Sequence, residues 1–414
     1  MATPGISTNT VAIPVACTDL ARAPRILDSV AAVLAALGVI GEEQIIQLVF
    51  LALVSRLLDR VVSLMIKGPS SAGKSYVVQQ TFRLFPARAY HELTSMSDRA
   101  LVYSKVSFKH RMILMYEASG LSEKAEYFIR SLLSEGRLRY EVTEKVADKP
   151  HETRMIDQEG PTGFIITTTA VRLHPENETR MLSLTVNDTP EQTKSILKVQ
   201  AAEKTKRPTV DLAAFLALQE WLANAEHRVV IPFAPQIVEH LPLADIRIRR
   251  DFPTVLGLIE AHALLHQASR DRNTEGCIIA TLDDYTVVRE LVNGTLGDGL
   301  GSIVKLETRE VIAAVKTLTD SGKPHVAVIE IATHLSIHKS SALRRVRVAL
   351  ERGYLVNNEL HEGRRAQLVL GDPLPEDKDV LPEPSKLMGC TVAQVSEGTV
   401  DATTEPSHAD SQDI

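Results

Sequence analysis

Gly68-Pro69-Ser70-Ser71-Ala72-Gly73-Lys74-Ser75 satisfies the spacing G-x-x-x-x-G-K-[ST]. An apolar run, Val61 to Ile66, leads into it, and a stretch of helical character, Tyr76 to Leu84, follows. Strand, glycine-bearing loop and helix in that order form a cradle for a phosphate chain. Gly68 and Gly73 let main-chain amides approach the anion, and the helix N-terminus faces it. Lys74 adds a point charge, and Ser75 offers a hydroxyl to magnesium. The ligand implied is ATP with Mg2+, held by Gly68 through Ser75.

Outward from that loop the chain continues as short buried strands separated by helical stretches. Val61 to Ile66, Met112 to Tyr116, Phe164 to Thr168 and Leu182 to Val186 are apolar runs of strand length. Their alternation with helical segments predicts an α/β fold, a parallel sheet with helices on both faces. Ile26 to Leu37 and Glu42 to Leu58 carry helical spacing ahead of the first strand, whereas residues 1–24 carry none and read as a loose N-terminus. Leu138 to Lys145 and Glu152 to Asp157 alternate around a polar tip at Ala147 to Pro150, the pattern of a hairpin. The core so defined spans 25–190.

Beyond it, residues 191–296 read as a helical lid, helical from Glu191 through Leu291, and Gly294 to Gly301 as a glycine-rich linker. Within 305–371, Arg309 to Leu318, Ile329 to Leu335 and Lys339 to Glu351 have helical spacing. Tyr354 to Asn357 and Ala366 to Leu370 flank a turn at His361-Glu362-Gly363. Three helices and a two-stranded wing predict a winged helix-turn-helix, with Ser336 at its tight turn. The stretch 372–414 is rich in Pro, Ser, Thr and acidic residues, and is expected to be a disordered tail.

A chain of 414 residues, 44% hydrophobic and 24% charged, is ordinary for a globular protein of two or three domains. Its net charge of -6 supplies no global basic field, so any nucleic-acid contact has to come from local patches. Cys17, Cys277 and Cys390 are scattered, which argues against a disulfide framework or a zinc site and fits a reducing cytoplasm. The most apolar stretch, Ile45 to Ile66, is broken by Arg56, Asp59 and Arg60, so neither a membrane span nor a signal segment is expected.

Glu117 ends the apolar strand that begins at Met112, the position for a base that polarises attacking water beside the magnesium ion. Tyr116 stands where such strands usually carry an aspartate for the magnesium shell, so the ion would rest mainly on Ser75 and the phosphates. Thr167-Thr168-Thr169 ends the third strand, with Thr168 the candidate hydroxyl for orienting water or touching the γ-phosphate.

From Val61 to Val292 the order of parts resembles the AAA+ ATPase module of minichromosome-maintenance helicases and related phage and integrative-element replication proteins. The resemblance rests on the phosphate loop, the strand ending in Glu117, a helix from Ser122 to Ser134, the hairpin, Glu178-Thr-Arg180-Met-Leu-Ser-Leu-Thr-Val-Asn187-Asp188-Thr-Pro190, Arg249-Arg250-Asp-Phe-Pro and Thr281-Leu-Asp-Asp-Tyr. It implies that Arg180 acts in trans on a neighbour's nucleotide and that Arg250, or Arg249 in a shifted register, is the sensor-2 arginine. It implies that the hairpin grips a nucleic-acid backbone through Lys145, Lys149 and Arg154, beside His151. A ring oligomer, expected to be a hexamer, and a primase or other replication partner follow from the same resemblance. The N-terminal DNA-binding region of those helicases has no counterpart ahead of Ile45.

In the C-terminal unit the second basic helix is suited to a DNA groove, with Lys339, Ser340, Ser341, Arg344 and Arg345 as candidate contacts and Arg364 and Arg365 in the wing for phosphate. The expected function is an ATP-hydrolysing DNA helicase or translocase of a mobile-element or phage replication system. The alternatives are an ATP-regulated, sequence-specific DNA-binding switch and an AAA+ remodeller of protein partners.

Overall fold

Strands β1 (Leu64–Lys67), β2 (Tyr90–Leu93), β3 (Arg111–Met115), β6 (Thr162–Thr168) and β7 (Leu182–Thr185) form one parallel sheet in the order β2-β3-β6-β1-β7. The computed structural model describes residues 11–117, 121–144, 152–169, 179–203, 210–241, 247–300, 306–359, 361, 364–374 and 379–387. Successive strand residues face opposite sides of the sheet, and the core divides accordingly. Leu64, Ile66, Met112, Leu114 and Ile165 enter a large cluster on one face. Met65, Ile113, Met115, Phe164 and Ile166 enter a second cluster on the other. Both faces are therefore covered, as continuous apolar strands require.

The large cluster is filled by α2 (Ile26–Ala36), α3 (Glu43–Ser55) and α4 (Lys74–Phe82); α1 is the single turn Thr18–Ala21. The second is closed by α5 (Ala100–Tyr103) and α6 (Glu123–Glu135), whose Phe128, Ile129 and Leu132 pack inward. Ser122 caps α6 by accepting the Ala125 N–H at 3.2 Å, and Gly136 ends it at φ 62°. Strand β2 carries no apolar run: Tyr90-His-Glu-Leu93 is a partly exposed edge strand, which is why hydrophobicity alone does not reveal it. Strands β4 (Arg137–Glu144) and β5 (Glu152–Glu159) form the antiparallel hairpin, in register from Arg137 opposite Glu159 to Glu144 opposite Glu152.

After the sheet come α7 (Pro190–Glu203), α8 (Ala213–Asn224), α9 (Ala234–Glu239), α10 (Ile248–Leu265) and α11 (Leu282–Leu300). The segment is not helical throughout, because β8 (Val229–Val230) pairs in parallel with β9 (Ile278–Ile279). The expected glycine linker at Gly294 is instead helix: α11 runs through it to Leu300, held by Val292 and Leu296, which are buried in the main core. Among the described residues no helix is long and apolar enough to cross a membrane.

The described residues between 306 and 370 include α12 (Leu306–Asp320), α13 (Val328–His334), α14 (Lys339–Glu351) and the antiparallel pair β10 (Leu355–Asn357) and β11 (Leu368–Leu370). They have a core of their own built on Val311, Val315, Ile331, Val346 and Leu368. Ser336, at φ 54°, turns the chain between α13 and α14.

One stretch of the tail expected to be disordered is ordered. Val380, Leu381 and Leu387 are buried in the main core, and Tyr285 donates its hydroxyl to the Pro382 carbonyl at 2.6 Å. Asn293 Oδ1 accepts the Val380 and Leu381 N–H groups, each at 3.0 Å, and Arg289 pairs with Asp379 and Glu383. Three apolar side chains and a set of polar anchors on α11 outweigh the polar composition of the surrounding tail.

Candidate functional site

The loop between β1 and α4 has the backbone its sequence demands. Gly73 caps α4 at φ 83°, a left-handed conformation that glycine adopts without strain. Ser71 is also left-handed, at φ 66°. Gly68 answers a different constraint: a Cβ there would lie 2.3 Å from Val186 Cγ2. Its N–H donates to the Thr168 carbonyl at 3.3 Å, which ties the loop to the neighbouring strand β6.

Lys74 is 7% exposed, and its ammonium donates to the Gly68 and Pro69 carbonyls at 3.0 and 2.8 Å. Burial pushes its pKa down, Glu117 acts in the opposite sense, and the charge of Arg344 adds to the depression. Both charges thus act on Lys74. Ser75, in the first turn of α4, supplies the hydroxyl suited to magnesium on a bound triphosphate.

Glu117 lies just past the end of β3, two strands from β1, with β6 between them. Its own backbone is left-handed, at φ 55°, and its N–H donates to Thr167 Oγ1 at 3.3 Å. The carboxylate accepts the Thr169 N–H at 3.3 Å and the Thr169 hydroxyl at 3.2 Å. Thr169 thus joins the acid through both its main-chain N–H and its hydroxyl; Thr168 is fully buried, and Thr169 follows it onto the exposed strand end. Tyr116 turns away from the site and donates to Glu92 on β2 at 2.8 Å.

A cleft of about 820 Å³ runs alongside the loop. Its walls include Ser70 to Gly73, Gly38 to Ile40, Tyr76 and Gln192, and also His338, Ser340 and Ser341 of the C-terminal unit. Glu42 lines it too and accepts the Asn187 N–H at 2.9 Å. Burial pushes the Glu42 carboxyl up to about 7, against the Asn187 hydrogen bond and with help from Glu43 and Asp188.

Arg180 and Arg250 come together at the other end of the sheet. Arg180 immediately precedes the chain into β7 and donates to Ser134 at 2.7 Å, while Arg250, in the first turn of α10, donates to Thr179 at 2.7 Å. Leu182 is level with Leu64, so the four steps from Leu182 to Val186, the residue against Gly68, separate these arginines from the loop by about 13 Å of strand.

The nucleic-acid candidates are dispersed. Lys145, Lys149 and His151 lie outside the described residues, and Arg154 is exposed on β5 opposite Val142. Lys339, Ser340, Arg364 and Arg365 are exposed. Ser341 and Arg345 are not available to a groove, because both are buried against the P-loop side of the molecule. Arg344 pairs with Asp188 at 2.5 Å, and Arg345, 4% exposed, pairs with Asp188 at 3.2 Å and Glu310 at 3.0 Å. Asp188, Asn187 and Glu42 border the cleft beside the loop and were not among the candidate site residues. Only the position of Asn187-Asp188, directly after the strand beside β1, carried a signal for them.

Residues 35–214 match a family model described as the MTBMA_p00010 P-loop domain. No curated protein matches the chain. The match covers the loop, its strand and helix, Glu117 and the whole parallel sheet, so the geometry and the comparison agree that 35–214 is a P-loop domain, with the nucleotide-binding architecture of P-loop NTPases.

Proposed function

We propose that this protein is a magnesium-dependent ATPase that works as a ring and moves on DNA. The observation carrying the reading is the placement of Glu117: a carboxylate held by Thr169 at the strand ends beside the phosphate loop, close enough to act electrostatically on Lys74. There it can orient and deprotonate a water in line with a γ-phosphate bound to the loop. Ser75 and the phosphates would hold the ion.

The arginines support a shared site. Arg180 sits at the sheet edge away from its own loop, so a nucleotide it touches belongs to a neighbouring subunit. Arg250, bonded to the residue before it, joins the same surface. The hairpin and the exposed basic residues Lys339, Arg364 and Arg365 of a winged-helix unit would supply the DNA contacts.

The test is ATP turnover with and without DNA, for the wild type, Lys74→Ala and Arg180→Ala. DNA-stimulated turnover, lost in each variant and partly restored on mixing the two, supports the motor. Turnover indifferent to DNA, or no restoration at any mixing ratio, overturns it. A second reading, an ATP-regulated DNA-binding switch, is favoured by the Asp188 clamp on the basic helix and by Tyr116 in place of a magnesium-shell acid. Slow turnover with ATP-dependent binding of one duplex sequence would establish it.

A further inference from the structure

The cleft beside the phosphate loop has a wall from a distant part of the chain. His338, Ser340 and Ser341, at the start of α14, face it across from Ser70 to Gly73. His338 Nδ1 and the Ser340 hydroxyl are 2.7 Å apart, so the two form one polar group at that helix terminus.

The wall is fixed by charge. Asp188, a largely buried carboxylate that also borders the cleft, is paired with Arg344 and Arg345, and Arg345 is held in turn by Glu310 within the C-terminal unit. The arginines beside Asp188 hold its carboxyl below its ordinary range despite the burial that raises it, so the clamp stays ionised at neutral pH. Nε of both arginines is buried without a hydrogen-bond partner. A buried clamp with unused donors, set beside a site built for an anion, is costly as mere surface packing.

We propose that the C-terminal three-helix unit completes the nucleotide site in cis: α14 closes the cleft over a nucleoside triphosphate, and the Asp188 clamp holds it there. The phosphates occupy the loop, and His338 and Ser340 supply polar contacts to the part of the nucleotide projecting from it. Affinity then depends on the fraction of molecules with the clamp closed, since an open cleft lacks that wall. This inference rests on nucleotide binding at the loop, though not on hydrolysis or DNA.

The diagnostic variant is Asp188→Asn, because two explanations predict opposite signs. If Asp188 were only an acid near the triphosphate, neutralising it would relieve repulsion and tighten ATP binding. If it is the clamp, neutralising it opens the cleft and weakens binding, by about tenfold where the closed fraction falls to about a tenth. Calorimetry with ATP and Mg2+ on the full chain reads the sign, with Lys74→Ala as the loop control. Hydrogen exchange on the unaltered protein gives a measurement free of any folding defect: ATP should slow exchange in residues 338–345 together with 68–75. Protection confined to 68–75, or unchanged or tighter binding in Asp188→Asn, overturns the clamp while leaving the loop intact. No heat and no protection in the wild type removes nucleotide binding itself, and the clamp with it.

Discussion

Thr169 donates to Glu117 twice, from its main-chain N–H at 3.3 Å and from its hydroxyl at 3.2 Å, and so fixes one carboxylate oxygen at the mouth of the phosphate loop. In the proposed reaction this carboxylate is the base that meets the attacking water. Glu117→Gln keeps the shape and removes the base, so turnover should fall by about a hundredfold or more while ATP binding is kept. Thr169→Val retains the main-chain donor, and about a tenfold loss is expected. Single-turnover hydrolysis with saturating ATP checks both. Wild-type rates in Glu117→Gln would remove it from the chemistry.

Gly68 is required by packing before any ligand arrives. A Cβ at 68 meets Val186 Cγ2 at 2.3 Å, so Gly68→Ala should destabilise the domain by about 1–3 kcal/mol. Val186→Ala should relieve the clash, and the double variant should recover stability in denaturant unfolding. If ATP binding returns with stability, Gly68 serves the sheet. Should stability return without binding, the loop needs a bare Cα for the phosphate as well.

The two glycines illustrate how far the sequence reaches. Spacing alone located Gly68 and Gly73 on a strand-loop-helix, and the apolar runs located four of the five sheet strands, because buried parallel strands leave a local hydrophobic signal. β2 left none, being a partly exposed edge. Glu117 was legible as a strand-end acid and the threonine run as a source of hydroxyls, but the bond from Thr169 to the acid depends on how two strands end side by side, which spacing does not encode. Arg344 and Arg345 read as groove contacts because basic residues on a helix look alike from sequence. Their pairing with Asp188 is a contact across more than 150 positions, which no local pattern encodes.

Glu42 makes stability depend on pH in a predictable sense. Its carboxyl titrates near 7 when folded against 4.5 as a free group, so between those values the folded state keeps a proton that the unfolded chain has lost. Stability therefore falls as pH rises from 4.5 to 7. Glu42→Gln can still accept the Asn187 N–H and carries no such penalty. It should melt higher than wild type at pH 8, with the difference shrinking toward pH 4.5. A difference independent of pH would show that Glu42 is not the titrating group.

His266 works in the opposite direction. Burial, with the neighbouring His262 and Arg270 charges, brings it down to about 3 from 6.5, so the unfolded chain takes up a proton first and stability is lost as pH falls through that window. Between 4.5 and 6.5 the Glu42 and His266 slopes oppose one another, and Glu42→Gln should expose the histidine's acid limb. The anchor of that region is Asp284, fully buried, which accepts from His262 Nδ1 at 2.6 Å, from Arg270 at 2.6 and 3.0 Å, and from Thr281 N–H and hydroxyl. Asp284→Asn leaves a buried guanidinium without its counter-charge, and a loss of about 3–5 kcal/mol is expected in urea unfolding.

With the proposed DNA contacts, the proposed clamp would also set nucleotide against nucleic acid. Arg344 and Arg345 cannot hold Asp188 and contact a phosphate backbone at once, so whichever ligand uses the closed arrangement disfavours the one that uses the open. Asp188→Asn should therefore bind duplex DNA more tightly than wild type while binding ATP less tightly. Reciprocity requires that saturating ATP weaken DNA binding by the wild type, and by less in the variant. Fluorescence anisotropy of a labelled duplex, with and without ATP at one fixed salt concentration, measures both quantities. Equal DNA affinity in the two proteins would mean that the exposed Lys339, Arg364 and Arg365 suffice and that the buried arginines serve the cleft alone.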